Sequence, residues 1–87
     1  MTYYVYLIKT LDDYPNKSYV GYTNNLINRL AKHNSNLGAK STKGYKWKFI
    51  YKKKFYSKQK ALSFEYKLKK DRKERLKIIN EFKKNKS

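Results

Sequence analysis

The first strongly apolar segment of the chain is TYYVYLIK, residues 2–9. Both of its alternating side-chain sets are largely apolar, namely Tyr3, Val5 and Leu7 on one side and Tyr4, Tyr6 and Ile8 on the other. This pattern predicts a strand that is covered on both faces. Residues 10–18, TLDDYPNKS, have the composition of a turn. Residues 18–22, SYVGY, predict a second strand that forms a hairpin with the first.

Helical spacing begins after the second strand. Thr23 or Asn24 is expected to cap a helix there. Its apolar stripe comprises Leu26, Ile27, Leu30 and Ala31. Residues 34–45 are polar and contain glycines, which predicts a loop. Residues 46–55, KWKFIYKKKF, predict a third strand, whose lysines discourage edge pairing. The side chains expected on one side of this strand are Trp47, Phe49 and Tyr51.

Two more helical segments follow. Ser57 is expected to cap KQKALSFEYKLKK, residues 58–70, and a second helical pattern covers residues 71–84. No glycine or proline separates the two patterns, so one bent helix is an alternative to two helices. The predicted fold is α+β in the order β-β-α-β-α-α, with a small three-stranded mixed or antiparallel sheet flanked by helices. The length predicts one small domain over residues 1–87.

The net charge of the chain limits the classes of partner that it is expected to bind. Lysine and arginine number 23 against 6 acidic residues, which gives a formal net charge of +17. Nucleic acid is the favoured partner, because its phosphates release counterions when lysines approach. An anionic membrane surface is less favoured, since no long helix opposes a basic face to an apolar one. A lysine-rich surface encoded by an AT-rich genome is the alternative, although it does not explain the scarcity of acids.

Several classes of protein are excluded. The chain has no cysteine and one histidine, which excludes disulfides, thiolate zinc sites and metal sites built on several imidazoles. No apolar run approaches the roughly 20 residues that span a bilayer. The first ten residues lack the features of a signal peptide. A cytoplasmic or nuclear location is therefore expected, with the host cytoplasm or nucleus as the location if the source is viral.

Glu65 interrupts a basic segment at a position expected to be partly buried. It is the only acid between Asp13 and Asp71, and it lies on or beside an apolar helical stripe. That stripe consists of Ala61, Phe64 and Leu68. A carboxylate there needs a compensating cation or hydrogen-bond donors. Two interpretations stay open: a structural salt bridge to Arg29 or a lysine, and an oxygen ligand for Mg²⁺ or Mn²⁺.

Arg29 and His33 are neighbours on the first predicted helix, because they are four residues apart. Their row flanks the apolar stripe, so we expect it to border the core without entering it. One interpretation is a solvated arginine and an ordinary imidazole; the other is a phosphate clamp with bidentate arginine donors. Tyr6 and Tyr19 are predicted on neighbouring strands, which in principle brings them close enough to share a site, although composition alone does not show that they do. A phenol becomes a useful base only where positive charge favours phenolate.

These residues lie in an ordered series of motifs: YVYLIKT, SYVGYTNNLINRLAKHN and GAKSTKGYKWKFIYKKKFYSKQKALSFEYKLKK. The series resembles the GIY-YIG nuclease superfamily. It is most similar to the branch that contains the catalytic subunit of the eukaryotic structure-specific endonuclease and its small stand-alone bacterial and viral relatives. The likeness covers about residues 3–70 and leaves a basic helix at 71–87. Each short motif is weakly specific, and the ordered set is strong.

The resemblance implies a role for each matching residue. Tyr6 and Tyr19 match the tyrosines of the two motifs, and one of them, preferably Tyr19, takes the proton of the attacking water or positions that water. Arg29 matches the arginine that stabilises the scissile phosphate, and His33 assists it. Glu65 matches the glutamate that binds the metal. The implied reaction is hydrolysis of a DNA phosphodiester with one divalent metal, Mg²⁺ or Mn²⁺.

Other positions follow from the same resemblance or depart from it. Gly21 is implied to permit a close backbone approach at the turn from strand to helix. The first motif lacks its usual glycine, and Tyr22 stands where the excinuclease relatives have lysine. The residues expected to contact nucleic acid are Tyr22, Lys32, Lys40 and Lys43. Without cysteine there is no zinc-binding domain, so a partner recruited through one is not expected.

The sequence therefore predicts a metal-dependent DNA endonuclease that selects branched or flapped DNA rather than a base sequence. RNA stays open as a substrate, and the oligomeric state is not predicted. Two other classes stay open. One is a basic nucleic-acid-binding protein without catalytic activity. The other is a structural or ribosome-associated basic protein in which Glu65 is only an ion-pair partner.

Overall fold

The computed structural model describes residues 1–85. In chain order the elements are β1 (Tyr3–Thr10), β2 (Ser18–Thr23), α1 (Leu26–Asn34), β3 (Trp47–Phe55), α2 (Lys58–Lys70) and α3 (Arg72–Asn85), with a short 3₁₀ turn at Lys40–Thr42. The predicted α+β class and the order β-β-α-β-α-α are confirmed. Residues 86 and 87 of the predicted C-terminal segment lie outside the described residues.

The three strands form one antiparallel sheet in the order β2-β1-β3. The central strand, β1, is the apolar segment that opens the sequence. Its residues Val5 to Ile8 are fully buried. The prediction of a strand covered on both faces is confirmed, because helices pack on both sides of the sheet.

Each face of the sheet has its own core. On the α1 face, Tyr6, Ile8 and Trp47 are buried under Leu26 and Leu30 of α1. On the opposite face, called the α2 face here, the core includes residues of α2 and α3. Its buried side chains are Val5, Leu7, Val20, Ala61, Leu68 and Ile78. The sheet is therefore the middle layer between one helix and a pair of helices.

Strand β3 departs from the predicted alternation. Leu7 pairs with Tyr51 and Ile8 pairs with Phe49, so Ile50 is an extra residue between two paired positions. This β-bulge reverses the side-chain alternation. Phe49 faces the α1 core while Tyr51 packs against the α2 core. The prediction that Tyr51 shares a side with Trp47 and Phe49 was wrong for this reason.

Helix α1 begins later than predicted. Its N-cap is Asn25, whose side chain accepts a hydrogen bond from the backbone N–H of Asn28 at 3.1 Å. Thr23, one of the two predicted caps, instead accepts a hydrogen bond from the N–H of Asn25 at 3.0 Å. The predicted stripe is also too wide, because Ile27 is 82% exposed and Ala31 is exposed as well.

The C-terminal segment forms two helices rather than one bent helix. Asp71 separates them, and its carboxylate accepts a hydrogen bond from the backbone N–H of Glu74 at 3.1 Å. Ser57 caps α2 as predicted, accepting from the N–H of Lys60. Among residues 1–85, none of the helices combines the length and apolar content that crossing a membrane would need.

Candidate active site

The centre of the candidate site is a chain of hydrogen bonds on the α1 face. The Nε–H of Arg29 donates to the hydroxyl of Tyr6 at 3.1 Å. The same hydroxyl lies 2.8 Å from Nε2 of His33. On the other side of the imidazole, Nδ1 is 2.9 Å from Oγ1 of Thr42. Strand β1 supplies the tyrosine, α1 supplies the arginine and the histidine, and the loop before β3 supplies the threonine.

The donor and the acceptor of each hydrogen bond in this series can be assigned by starting from Thr42. The hydroxyl of Thr42 donates to the carbonyl oxygen of Ala39 at 2.8 Å, so its oxygen accepts from Nδ1 of His33. Nε2 is then the unprotonated nitrogen and accepts the hydroxyl proton of Tyr6. Every donor in the series has one acceptor, so the chain fixes one tautomer of His33.

The pKa values of the two central groups agree with this assignment. Burial and, as the smaller cause, the positive charge of Arg29 together lower the pKa of His33 to about 4. Burial raises the pKa of Tyr6 to about 12, although the hydrogen bond from Arg29 opposes the shift. At neutral pH the imidazole is uncharged and the phenol keeps its proton. Tyr6 is therefore a hydrogen-bond donor in the resting site rather than a base.

Gly21 makes room for Tyr6. The two residues are paired across β1 and β2, and a Cβ atom on Gly21 would lie 2.2 Å from the Tyr6 hydroxyl oxygen and 2.3 Å from its Cζ. Gly21 lies inside β2 and outside the left-handed region of the backbone. The expectation of a turn glycine was wrong. A glycine is needed at position 21 because the side chain of Tyr6 crosses above its Cα atom.

Gly38 has a similar relation to His33. A Cβ atom there would lie 2.4 Å from Nδ1 of His33. The imidazole is fully buried, so the expectation that it only borders the core was wrong. Gly38 and Thr42 belong to the GAKST motif at residues 38–42, and no role was predicted for either residue. The structure shows that both enclose His33.

Tyr19 lies beside this series of hydrogen bonds, on the edge strand β2. Its ring centroid is 5.2 Å from that of His33, and the side chain is partly exposed. Tyr19 also affects the pKa of Arg29. Burial lowers the pKa of Arg29, but the interactions of its guanidinium with Tyr6 and Tyr19 outweigh burial and raise it. The arginine is thus held charged between two tyrosines, one buried and one partly exposed.

Glu65 reaches the same edge of the sheet from α2. Its Oε2 lies 3.6 Å from Nζ of Lys69, one turn further along the helix, and its side chain is 18% exposed. Nζ of Lys69 also lies 5.8 Å from the ring centroid of Tyr19. The carboxylate contributes to the raised pKa of Tyr6, the smallest of its causes. Glu65 is therefore on the side of the sheet edge where Tyr19 and Arg29 lie, with a lysine as its ion-pair partner.

The donor set at Glu65 fits a hydrated divalent ion. In residues 1–85, no group of three or more His, Asp or Glu side chains is arranged to hold a metal ion. One carboxylate suffices for Mg²⁺, which keeps several waters and takes further oxygen ligands from substrate phosphates. Glu65 is partly shielded but retains solvent access, and its contact with Lys69 is longer than a hydrogen bond. It can therefore exchange the ammonium for a metal ion.

The residues predicted to contact nucleic acid are dispersed. Tyr22 lies on the α2 face, where its ring stacks on that of Tyr3 at 6.0 Å. Lys32 is exposed on α1. Lys40 and Lys43 are exposed on either side of Thr42. The three lysines thus belong to the elements that hold His33, whereas Tyr22 faces away from Tyr6.

Comparison with known proteins identifies the family. A sequence profile of the GIY-YIG catalytic domain matches residues 2–86. The chain is 42% identical to a UPF0213 protein of Oceanobacillus iheyensis over 79 residues, which covers 88% of each chain. It is 41% identical to a UPF0213 protein of Staphylococcus haemolyticus over 81 residues, covering 91% of this chain and 95% of that one. The chain therefore belongs to the GIY-YIG nuclease domain family.

A solved structure supports the same assignment. The solution NMR structure of a UPF0213 protein from Bacillus halodurans is 31% identical, with a TM-score of 0.52 over 92% of this chain and 84% of that chain. The resemblance found in the sequence is confirmed. GIY-YIG nucleases generally use a divalent metal and act on DNA. Family membership therefore indicates a nuclease.

Proposed function

We propose that the protein is a metal-dependent DNA endonuclease that hydrolyses phosphodiester bonds and selects branched or flapped DNA. The observation that carries the proposal is the hydrogen-bonded series Arg29–Tyr6–His33, with Tyr19 and Glu65 at the same sheet edge. An arginine held in a fixed orientation beside a solvent-accessible phenol and a carboxylate is suited to an in-line displacement at phosphorus.

Arg29 is the phosphate ligand in this proposal. Its Nε–H is committed to Tyr6, which orients the guanidinium and leaves the terminal amino groups for Tyr19 and a phosphate oxygen. Tyr6 and His33 are positioning residues. The imidazole is buried with both nitrogens hydrogen-bonded, so its role shifts from contacting the phosphate to fixing the hydroxyl that holds Arg29.

Tyr19 is the residue that orients the attacking water. It is the tyrosine of the pair that reaches solvent, whereas Tyr6 keeps its proton because burial raises its pKa to about 12. The bond between the water oxygen and phosphorus forms as the bond to the leaving sugar oxygen breaks; the water loses a proton to solvent, and the sugar oxygen gains one from solvent. Glu65 would hold the divalent ion, which supplies Lewis-acid stabilisation of the charge on the phosphate oxygens.

The charge distribution supports selection by shape. The excess of 17 positive charges gives strong attraction to phosphates, and phosphate contacts carry no sequence information. Lys32, Lys40 and Lys43 are proposed to contact the backbone on the α1 face, and Tyr22 is retained as a proposed contact on the α2 side. These contacts fit a bent or branched backbone better than base reading in a groove.

A nicking assay tests the proposal. Flap, fork, junction and plain duplex DNAs are incubated with the protein in Mg²⁺, in Mn²⁺ and in EDTA. The wild type is expected to nick branched DNA only with metal. Glu65→Gln and Arg29→Gln are expected to abolish nicking and keep the fold, and Tyr19→Phe is expected to reduce cleavage strongly with little effect on DNA affinity. Lys73→Gln, an exposed substitution on α3, is the matched control. Unchanged nicking by both the Glu65 and Arg29 variants would reject the assignment.

A second candidate is a DNA-binding protein without catalysis, and the ion pair between Glu65 and Lys69 favours it. In that case the carboxylate is compensated by a lysine and needs no metal. A double-mutant cycle with Glu65→Gln and Lys69→Met separates the two functions. Stability coupling between the residues, with no effect of Mn²⁺ on the melting temperature, supports the binding protein. Stabilisation by Mn²⁺ that Glu65→Gln removes supports the nuclease.

A further inference from the structure

A strip of exposed side chains on α2 begins at the candidate site and leads away from it. Leu62 is 40% exposed and Tyr66 is 59% exposed, on a helix whose opposite side packs into the core through Ala61 and Leu68. Leu62, Tyr66 and Lys70 follow one another at a spacing of four, so they lie in one row on the surface. We call Leu62, Tyr66, Lys69 and Lys70 the α2 strip.

The helix periodicity connects this strip to Glu65. At about 100° per residue, the order around α2 from the buried side outward is Glu65, Lys69, Leu62, Tyr66 and Lys70. The Glu65–Lys69 contact at 3.6 Å joins the inner border of the strip to the carboxylate. The strip is therefore a continuous extension of the candidate site, away from the sheet edge.

The chemistry of the strip suits an unpaired nucleotide. Tyr66 offers an exposed aromatic ring, and Nζ of Lys70 lies 4.3 Å from the centroid of that ring. Base stacking on an aromatic side chain next to a cation is how proteins hold single strands without reading their sequence. A protein partner that packed on Leu62 and Tyr66 would instead have to approach a surface bordered by lysines in a chain of net charge +17.

We propose that the α2 strip binds an unpaired nucleotide next to the scissile phosphate, with its base stacked on Tyr66 and its phosphate near Lys70. This proposal rests on the proposed endonuclease function for the position of the cleaved bond. It gives that function a physical basis for preferring flaps, because a base in an intact duplex is already stacked and is not free to pack on the ring. The substrate class is therefore DNA with a single-stranded arm at the cleavage point.

The chain supplies a matched control. Tyr56 is 78% exposed, and Nζ of Lys54 lies 5.6 Å from its ring centroid. It has the same chemistry as Tyr66 but precedes α2, at the end of the helix away from Lys70. General attraction of DNA to exposed tyrosine–lysine pairs would involve both residues. A defined nucleotide site involves Tyr66 alone.

The test measures binding in EDTA, so it does not depend on cleavage. A flap DNA carries 2-aminopurine in its unpaired arm, and its fluorescence and anisotropy are titrated with protein. The wild type, Tyr66→Phe and Tyr56→Ala are expected to quench the base analogue. Tyr66→Ala is expected to lose the quenching and to bind the flap roughly fivefold or more weakly, with less than about twofold change on plain duplex.

Three results would contradict the proposed nucleotide site on the α2 strip. They are wild-type quenching by Tyr66→Ala, equal losses in the Tyr66 and Tyr56 alanine variants, and sedimentation of a wild-type dimer that Tyr66→Ala dissociates, which would make the strip a contact between two copies. The endonuclease function is tested separately by nicking. Absence of nicking in any metal would reject that function, while the quenching experiment would still test the proposed nucleotide site on the α2 strip.

Discussion

At the scale of single residues, His33 links the site to the stability of the fold. Burial and Arg29 lower its pKa from the ordinary 6.5 to about 4 in the folded protein. Between these two values the unfolded chain binds a proton that the folded chain does not, so stability falls as the pH is lowered. The slope is roughly 1.4 kcal/mol per pH unit for one proton. We expect the free energy of unfolding to decline from pH 6.5 toward pH 4 and this contribution to level off below.

Chemical denaturation of the wild type and of His33→Gln at several pH values checks this expectation. Carboxylates that titrate in the same range are common to both proteins, so the difference between the two curves isolates His33. The glutamine variant should be less stable at neutral pH and should lose less stability on acidification. Parallel curves for the two proteins would show that His33 is not the buried neutral group that the hydrogen bonds indicate.

Gly21 gives a second prediction at this scale. Gly21→Ala places a methyl group against the phenol of Tyr6, so strand and tyrosine must separate, at a cost of about 1–3 kcal/mol. Displacing Tyr6 also releases His33, whose pKa should rise toward its ordinary value in an NMR titration. The control is Gly44→Ala, since nothing lies within 4 Å of that position, although its φ of +87° carries a backbone cost. Equal His33 titrations in both variants would contradict the packing argument.

The sequence identifies candidate site residues but does not specify most of their contacts. Helical spacing brings Arg29 and His33 together, because i and i+4 are always neighbours. The contact of Gly21 with Tyr6 depends on the strand register, which local patterns do not specify. The burial of His33 depends on Gly38 and Thr42, which approach only after the loop folds back onto α1. The contacts that the sequence did not predict at this site are therefore those between residues of different elements.

At the scale of elements, the same limit explains the errors. Alternation along residues 46–55 predicts a regular strand, yet the bulge at Ile50 turns Tyr51 to the opposite core. Two separate cores lie on the two faces, and the bulge lets β3 supply aromatic side chains to both. Such a feature depends on tertiary packing and has no local signature. Asp71 is different, because a short acid before a helical run is a recognisable cap signal.

Asp71 gives the prediction for this scale. Asp71→Ala removes the side-chain acceptor for the N–H of Glu74, so α3 should be destabilised at its start and the protein by about 1 kcal/mol. Arg75 donates to the carbonyl oxygen of Leu68 at 2.8 Å, so a loosened α3 also loosens the end of α2. Urea denaturation measures the loss. Asp13→Ala removes the same charge from an exposed turn residue and is the control; an equal loss there would assign the effect to net charge.

At the scale of the whole molecule, the two faces of the sheet contribute different residues to the candidate site. The α1 face fixes Arg29 through Tyr6 and His33, while the α2 face supplies Glu65 and the exposed strip. The two groups approach each other at the edge formed by β2, where Nζ of Lys69 lies 5.8 Å from the ring centroid of Tyr19. The candidate site therefore draws its residues from both helix layers of the fold.

With a net charge of +17, the proposed affinity for DNA is expected to depend on salt concentration. Each phosphate neutralised by a lysine contributes about 0.9 to the slope of log K against log salt. We expect Lys32→Gln, Lys40→Gln and Lys43→Gln to reduce the slope each by roughly one, if each contacts a phosphate. Fluorescence anisotropy with a flap DNA in EDTA measures this slope. The salt concentration is varied about fourfold, between 50 and 200 mM. Lys73→Gln, on α3 and therefore on the other side of the sheet, should leave the slope unchanged. Equal reductions by all four variants would show that DNA responds to total charge and that the α1 face has no defined DNA contact.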